Sequence, residues 1–327
     1  MNMSGEYKCD VCATTGYHKN WGSVEGIDGA SYDLLECPDC SFVHVWPIPT
    51  EKFIDDFYRN HYQGRVKTNI NEKENPLKVN KSALEDCRKK IKYVERYATN
   101  LKKSNRVLDV GCGHGFFVHT SNQKGFLAEG VDIDQQAVEY GRKQLNLTIH
   151  SHSIESLDTL GKSTGQFDLI TFWQVLEHLR LPGSTVRAAK SLLRPGGYIA
   201  GSVPNLGGIG AKIQGKKWYL MVPPEHLNYF NEQSFKAMLV TAGYQPIFVG
   251  TVKLYASPYF VIGIRKFVMN IAVRISNRLG KSILFGLHRL LTLMKRYLIY
   301  LPLNVLVMIF RLGGNSLFFV AQRQESN

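Results

Sequence analysis

Residues 106–115 read RVLDVGCGHG, an apolar run that contains one acidic residue and closes on three alternating glycines. Val107, Leu108 and Val110 predict a buried strand, and Phe116, Phe117 and Val118 open an apolar helix directly after Gly115. The stretch is therefore a strand, a tight turn and a helix. Glycines in such a turn adopt dihedrals that a Cβ forbids and let a ligand approach the backbone. The spacing is D-x-G-x-G-x-G, not the dinucleotide fingerprint G-x-G-x-x-G, because the third glycine comes one residue early. Twenty-one residues after Gly111 the next strand, residues 127–131, ends at Asp132, where a carboxylate accepts both hydroxyls of a ribose. A glycine turn followed by an acid at the end of the next strand marks a cofactor platform.

On these residues the chain resembles the class I S-adenosylmethionine-dependent methyltransferases, whose first motif is an acidic residue followed by G-x-G-x-G. The resemblance implies an α/β fold with a Rossmann-like seven-stranded methyltransferase sheet, and S-adenosylmethionine as its cofactor. It implies that Asp109 binds the methionine ammonium, through a water or directly, and that Gly111, Cys112, Gly113 and Gly115 let the carboxylate approach the backbone. Asp132 with Ile133 would hold the ribose. Ser153 and Ile154, in the segment SHSIESL, stand where the family holds the adenine, with Ser153 in place of the usual Asp. A hydroxyl accepts more weakly there than a carboxylate.

Residues 167–172, FDLITF, predict the fourth strand, which runs into Trp173, Gln174, Val175, Leu176, Glu177 and His178. In the family this segment walls the cofactor pocket and points residues at the transferred methyl, which adds Gln174 to the implied cofactor contacts. The turn LLRPGG, residues 192–197, separates a helix from a fifth strand at 198–203. Further on, Trp218, the run PPEH at 223–226 and Tyr229-Phe230 resemble a subgroup that carries an N-terminal Cys₄ ribbon and often serves bacterial surface-polysaccharide pathways. The domain also resembles the ubiquinone-type O-methyltransferases, whose wall E-x-x-E-H holds a divalent metal. Here Gln174 replaces the first carboxylate, which weakens such a site without removing it. Methyl transfer is an in-line displacement that mainly requires positioning. For an oxygen acceptor a base must take a proton, and His178 and His226 are the candidates by type, with Glu177 beside them.

The 327 residues are 44% hydrophobic and bury one large core or two smaller ones. No apolar leader opens the chain, so a cytoplasmic protein with reduced thiols is expected. Four of the six cysteines form two C-x-x-C pairs, Cys9 with Cys12 and Cys37 with Cys40, the second in the knuckle sequence CPDC. In a reducing compartment they read as a closed Cys₄ structural zinc site. Cys87 and Cys112 read as space-filling. The expected domains are a zinc ribbon at 1–48, a helical linker at 49–103, a methyltransferase domain at 104–252 plus 313–327, and a basic helical insertion at 253–312.

The net charge of +13 is unevenly placed. Twelve of the 40 Lys and Arg lie between Gln233 and Arg323 with no Asp or Glu, leaving 28 against the 27 acids elsewhere. About sixty residues separate the predicted sixth strand, 244–252, from the seventh, 316–322. Within them Lys281, His288, Arg289, Thr292, Lys295 and Arg296 share one 120° arc at 100° per residue, and Lys266, Asn270, Arg274, Asn277 and Arg278 do the same on the preceding predicted helix. The longest apolar run, 297–310, is broken by Pro302 and Asn304 and is too short to span a bilayer. Basic amphipathic helices of this kind suit an anionic membrane surface, which places the protein peripherally on the inner face of the cytoplasmic membrane. Packing on the catalytic domain or on a second subunit is the other reading.

Three function classes follow. The first is a membrane-associated methyltransferase of a sugar or lipid-linked intermediate, with a quinone precursor as the alternative acceptor. The second is an RNA methyltransferase with a zinc finger, which the near-neutral first 232 residues argue against. A non-catalytic binding module would show a damaged cofactor turn, whereas this turn and Asp132 are intact.

Overall fold

The computed structural model describes residues 6–58, 80–152, 167–251 and 314–324. Around the first knuckle, β1 (Tyr7–Lys8) and β2 (Thr15–Gly16) form a hairpin that pairs only with itself. β3 (Lys19–Glu25), β4 (Ser31–Glu36) and β5 (Val43–Trp46) make an antiparallel meander, with the second knuckle between β4 and β5. α1 (Glu51–Phe57) follows, its first turn capped by the Thr50 hydroxyl, which accepts the Phe53 N–H at 3.2 Å. α2 (Lys81–Tyr97) ends before Ala98. Its buried stripe of Leu84, Cys87, Ile91 and Val94 has run out, and Ala98 leaves helical geometry.

Seven strands then build the central sheet: β6 (Arg106–Val110), β7 (Leu127–Asp132), β8 (Ile149–Ser151), β9 (Phe167–Trp173), β10 (Leu193–Pro204), and, after the short β11 (Asn228–Tyr229), β12 (Tyr244–Gly250) and β13 (Ser316–Arg323). Their order is β12-β13-β10-β9-β6-β7-β8, the Rossmann-like methyltransferase arrangement. All pairs are parallel except those of β13, which runs antiparallel to both β10 and β12. β6, β9 and β10 are buried on both faces, which explains their near-continuous apolar runs. α3 (Phe116–Gln123), α4 (Gln135–Leu145), α5 (Pro182–Leu192), α6 (Ile209–Gln214) and α7 (Glu232–Thr241) complete the described helices.

Two local expectations change. Residues 194–197 of the LLRPGG segment do not precede the fifth strand but bulge within it, since Leu193 already pairs with Phe167 before Tyr198 resumes opposite Leu169. α7 was not anticipated, although Asn231 and Ser234 form a reciprocal capping box at its start.

β6, β7 and β8 step outward in one direction, and the chain then returns to place β9 on the other side of β6. That reversal opens a crevice beyond the carboxyl ends of β6 and β9, where ligands of open α/β sheets bind. The ribbon flanks this crevice. β11 adds to its meander as a fourth strand by pairing with β5, and Cys9, Cys37, Cys40 and Phe42 share one apolar core with the β9 and β10 side of the sheet. The adenine segment with Ser153 and Ile154, and the basic insertion at 253–312, lie outside the described residues. Among the described residues no helix is long and apolar enough to cross a membrane.

Candidate active site

Gly111, Gly113 and Gly115 all have positive φ, at +69°, +52° and +81°, so the turn after β6 needs glycine three times over. Their surroundings differ. A Cβ on Gly111 would meet Val175 at 2.5 Å, and one on Gly115 would meet Leu147 and Ile149, whereas one on Gly113 would meet nothing within 4 Å. The outer two glycines permit packing, and the middle one faces open space. Asp132, at the end of β7, accepts the Gly113 N–H at 2.7 Å through one oxygen and the Asp134 N–H at 2.9 Å through the other. Burial raises its pKa.

Asp109 is 3% exposed and accepts the Thr171 hydroxyl at 2.7 Å. Burial pushes its carboxyl up to about 7, opposed by that hydrogen bond and by Lys90. A buried acid held so high is a site that favours a cationic ligand group. An open backbone face, an acid awaiting a cation and a braced carboxylate fit the amino-acid end and ribose of S-adenosylmethionine. Gln174 has φ +57° and is fixed to Ser202 by its own N–H, at 2.8 Å, and by its side-chain amide, at 3.0 Å. Ile133 is half exposed beside Asp132. Cys112 is largely enclosed, and burial pushes its thiol up, in keeping with a space-filling role.

The wall that follows β9 brings Glu177 and His178 against His226 of the PPEH run. The ligand atoms of all three lie within 4.8 Å of one another. Each histidine donates Nδ1–H to a carbonyl, His178 to Glu225 at 2.7 Å and His226 to Leu220 at 2.9 Å, which leaves each Nε2 as a bare acceptor. Burial drives His178 down to about 4; burial and His178 together drive His226 down to about 3. Glu177 is fully buried, and neither of its oxygens has a hydrogen-bond partner among the described residues. Burial pushes it up to about 8. The group thus offers acceptors and no donor once Glu177 ionises. Gln174, bound to Ser202, is not part of it.

The four ribbon cysteines converge as their spacing predicts, with sulfurs 3.8 Å apart for Cys9 and Cys40 and 3.7 Å for Cys12 and Cys37. A tetrahedron with Zn–S bonds of about 2.3 Å has an edge of about 3.8 Å, whereas a disulfide needs about 2.05 Å. All four cysteines are free thiols. Hydrogen bonding with Cys37 pushes Cys9 up to about 12 and Cys40 up as well, while the same contacts pull Cys37 down. Four sulfurs converging at that spacing suit one tetrahedral cation, so the set fits zinc.

Sequence reasoning missed Thr171, which steadies Asp109, and Lys90. The Lys90 ammonium pairs with Asp86 at 3.2 Å and lies 5.1 Å from the Trp173 ring centroid. An i,i+4 Asp–Lys pair on a polar helix reads as a solvated face, so the sequence carried no sign of it.

The methyltransferase-domain family matches residues 82–248. The ubiquinone biosynthesis O-methyltransferase of Bordetella avium is 31% identical over 121 residues, covering 36% of this chain and 49% of that protein. Its namesake in Aromatoleum aromaticum is 33% identical over 103 residues, or 31% and 44% of the two chains. The chain thus spans about half the length of the curated relatives it matches. Among solved structures, the plantazolicin methyltransferase BamL, in complex with a triazolic desmethylPZN analog and SAH, superposes with a TM-score of 0.50 at 13% identity, over 84% of this chain and 95% of that one. That likeness is one of fold.

Proposed function

The chain belongs to the methyltransferase-domain family, and on that premise we propose that it methylates a hydroxyl of a sugar or lipid-linked intermediate of surface-polysaccharide assembly, at a membrane surface. S-adenosylmethionine, when bound, supplies an electrophilic methyl carbon that the acceptor oxygen displaces from sulfur. Asp109 and the open face at Gly113 would hold its amino-acid end, and Asp132 its ribose.

The observation that carries the acceptor reading is the set Glu177, His178 and His226, which presents two bare Nε2 acceptors beside a buried carboxyl without a hydrogen-bond partner among the described residues. A hydroxyl completes it by donating its hydrogen to an Nε2. As the oxygen is alkylated, that Nε2 takes the proton and becomes imidazolium, which an ionised Glu177 stabilises. Val175 lies over Gly111, so the wall carrying Glu177 and His178 borders the cofactor turn. The choice of a lipid-linked sugar rests on the sequence pattern around PPEH and on the basic apolar insertion.

The test uses methyl-labelled S-adenosylmethionine with lipid-linked saccharides, a catechol quinone precursor and ribosomal RNA as competing acceptors. Label should appear as a methyl ether on the saccharide. Transfer to RNA alone, or to a ring nitrogen, would sink this reading.

The same convergence of acceptors favours a second reading, a divalent cation held by Glu177, His178 and His226, as suits a quinone-type O-methyltransferase. Metal analysis distinguishes the two. A second equivalent lost in His226→Ala but kept in Cys37→Ser would establish this reading over the first.

A further inference from the structure

The first knuckle is Cys9-Asp10-Val11-Cys12, and its acid does not face solvent. The Asp10 carboxylate, 9% exposed, accepts the Gly183 N–H at 2.6 Å, the Ser184 N–H at 3.1 Å, the Ser184 hydroxyl at 2.6 Å and the Arg187 guanidinium at 2.7 Å. Its backbone carbonyl accepts Arg187 again at 2.9 Å. These donors are the first turns of α5, whose own N-cap residue, Leu181, makes no side-chain capping bond. Asp10 therefore caps α5 across more than 170 residues of sequence, with its charge at the positive end of the helix dipole. The fit is close. A Cβ on Gly183 would come within 2.1 Å of the Asp10 carbonyl oxygen. Immediately before α5 stand residues 174–181, which carry Glu177 and His178.

The second knuckle reaches the other half of the site. It leads into β5, where His44 pairs with Asn228 and Val43 with Tyr229, and the Val45 N–H binds the Leu227 carbonyl at 2.9 Å. The Asn231 amide donates to the Ser41 carbonyl at 2.9 Å. His226 immediately precedes this paired segment. The two halves then meet, since the N–H groups of Leu227 and Asn228 both donate to the Glu177 carbonyl, at 2.8 and 3.1 Å. The β1–β2 hairpin around the first knuckle has no ladder to the four-stranded sheet. It is joined to it by the facing sulfurs and by the ring of Tyr7 against His18, His44 and Trp46.

We propose that the Cys₄ centre is part of the architecture of the acceptor site: by fixing one knuckle to the other it sets Glu177 and His178 against His226, with Asp10 as the positioning residue. A metal ion bound by all four sulfurs would join the two knuckles directly, a link that no strand pairing makes among the described residues. The inference deepens the acceptor reading above, but its test reads the geometry of residues 174–181 and 224–230 and not the identity of the acceptor. The two can fail separately.

The experiment is hydrogen exchange by mass spectrometry on the full chain, with zinc content measured in parallel. Removing zinc with a chelator should speed exchange at least tenfold in peptides covering 174–187 and 224–230, while peptides covering 106–118 stay unchanged. Asp10→Ala should keep its zinc, reproduce the change in 174–187 and shift the imidazole ¹⁵N signals of His178 and His226. Asp10→Asn, which keeps one acceptor oxygen for the Gly183 N–H, should fall between the two. If zinc removal disturbs only residues 7–46, or if Asp10→Ala leaves 174–187 and both imidazole signals unmoved, the proposal is wrong. Exchange that rises equally in 106–118 would also overturn it, because the effect would then be general unfolding.

Discussion

One oxygen of the Asp132 carboxylate accepts the Gly113 N–H at 2.7 Å, so the acid that closes β7 also braces the glycine turn that follows β6. Its other oxygen is tied to the Asp134 N–H. Replacing Asp132 by Ala thus removes the ribose acceptor and loosens the turn together. The expected loss of S-adenosylmethionine affinity is about 2 to 4 kcal/mol, roughly 30- to 1000-fold in Kd. Asp132→Asn retains a carbonyl oxygen for Gly113 and should lose less. Calorimetric titration of both variants checks this, and wild-type affinity in Asp132→Ala would place the cofactor elsewhere.

Asp109 makes the site sensitive to pH. Its carboxyl is raised from the ordinary 3.8 to about 7, so the folded state holds a proton that the unfolded state has released. The stability this contributes is fully present below about 3.8 and is lost as pH rises through about 7, with an upper scale of about 4 kcal/mol. Asp109→Asn should flatten that slope in denaturation measured across the range. A cationic ligand group favours the ionised acid, so S-adenosylmethionine should bind more tightly as pH rises, by up to about tenfold per unit below 7, and then level off. Affinity that is flat with pH in the wild type would show that Asp109 does not meet the ammonium.

The ribbon should carry one zinc on Cys9, Cys12, Cys37 and Cys40. The sulfur spacing of 3.7 and 3.8 Å already matches a tetrahedral edge. Protein purified without chelator should contain the metal, and Cys37→Ser should lose that equivalent and much of its thermal stability, because so small a ribbon has little core of its own. A disulfide between the pairs in reduced-cell preparations would contradict it.

Much of this was readable from local chemistry. α4 falls on residues 135–145, since Asp134 caps its start and Asn146 turns it off in the left-handed region. The glycine turn, Asp132 and the two knuckles are short motifs whose spacing fixes their geometry. What stayed hidden depends on contacts between distant segments. β11 is two residues long and exists because β5 offers it an edge, and the Asp10 cap joins residues that no local pattern connects. His226 could be named by type, but its meeting with Glu177 follows from the Leu227 and Asn228 bonds to the Glu177 carbonyl. Which imidazole nitrogen is free depends on the carbonyls of Glu225 and Leu220, for which a sequence has no signal.

Residues 253–312 should bring the enzyme to an anionic membrane and hence to a lipid-linked acceptor. The motive lies in the sequence: twelve basic residues and no acid between Gln233 and Arg323, two predicted basic arcs, and no apolar run long enough to cross. Each basic residue near such a surface is worth about 1 kcal/mol, so replacing Arg289, Lys295 and Arg296 together by Gln should weaken binding about a hundredfold. Salt should weaken it too, because the attraction is screened within about 10 Å at 0.1 M. Sedimentation with vesicles of anionic and of neutral lipid is the measurement. Wild-type protein that stays in the supernatant with anionic vesicles at low salt, or a triple variant that sediments as well as the wild type, would return this segment to packing against the catalytic domain or a second subunit.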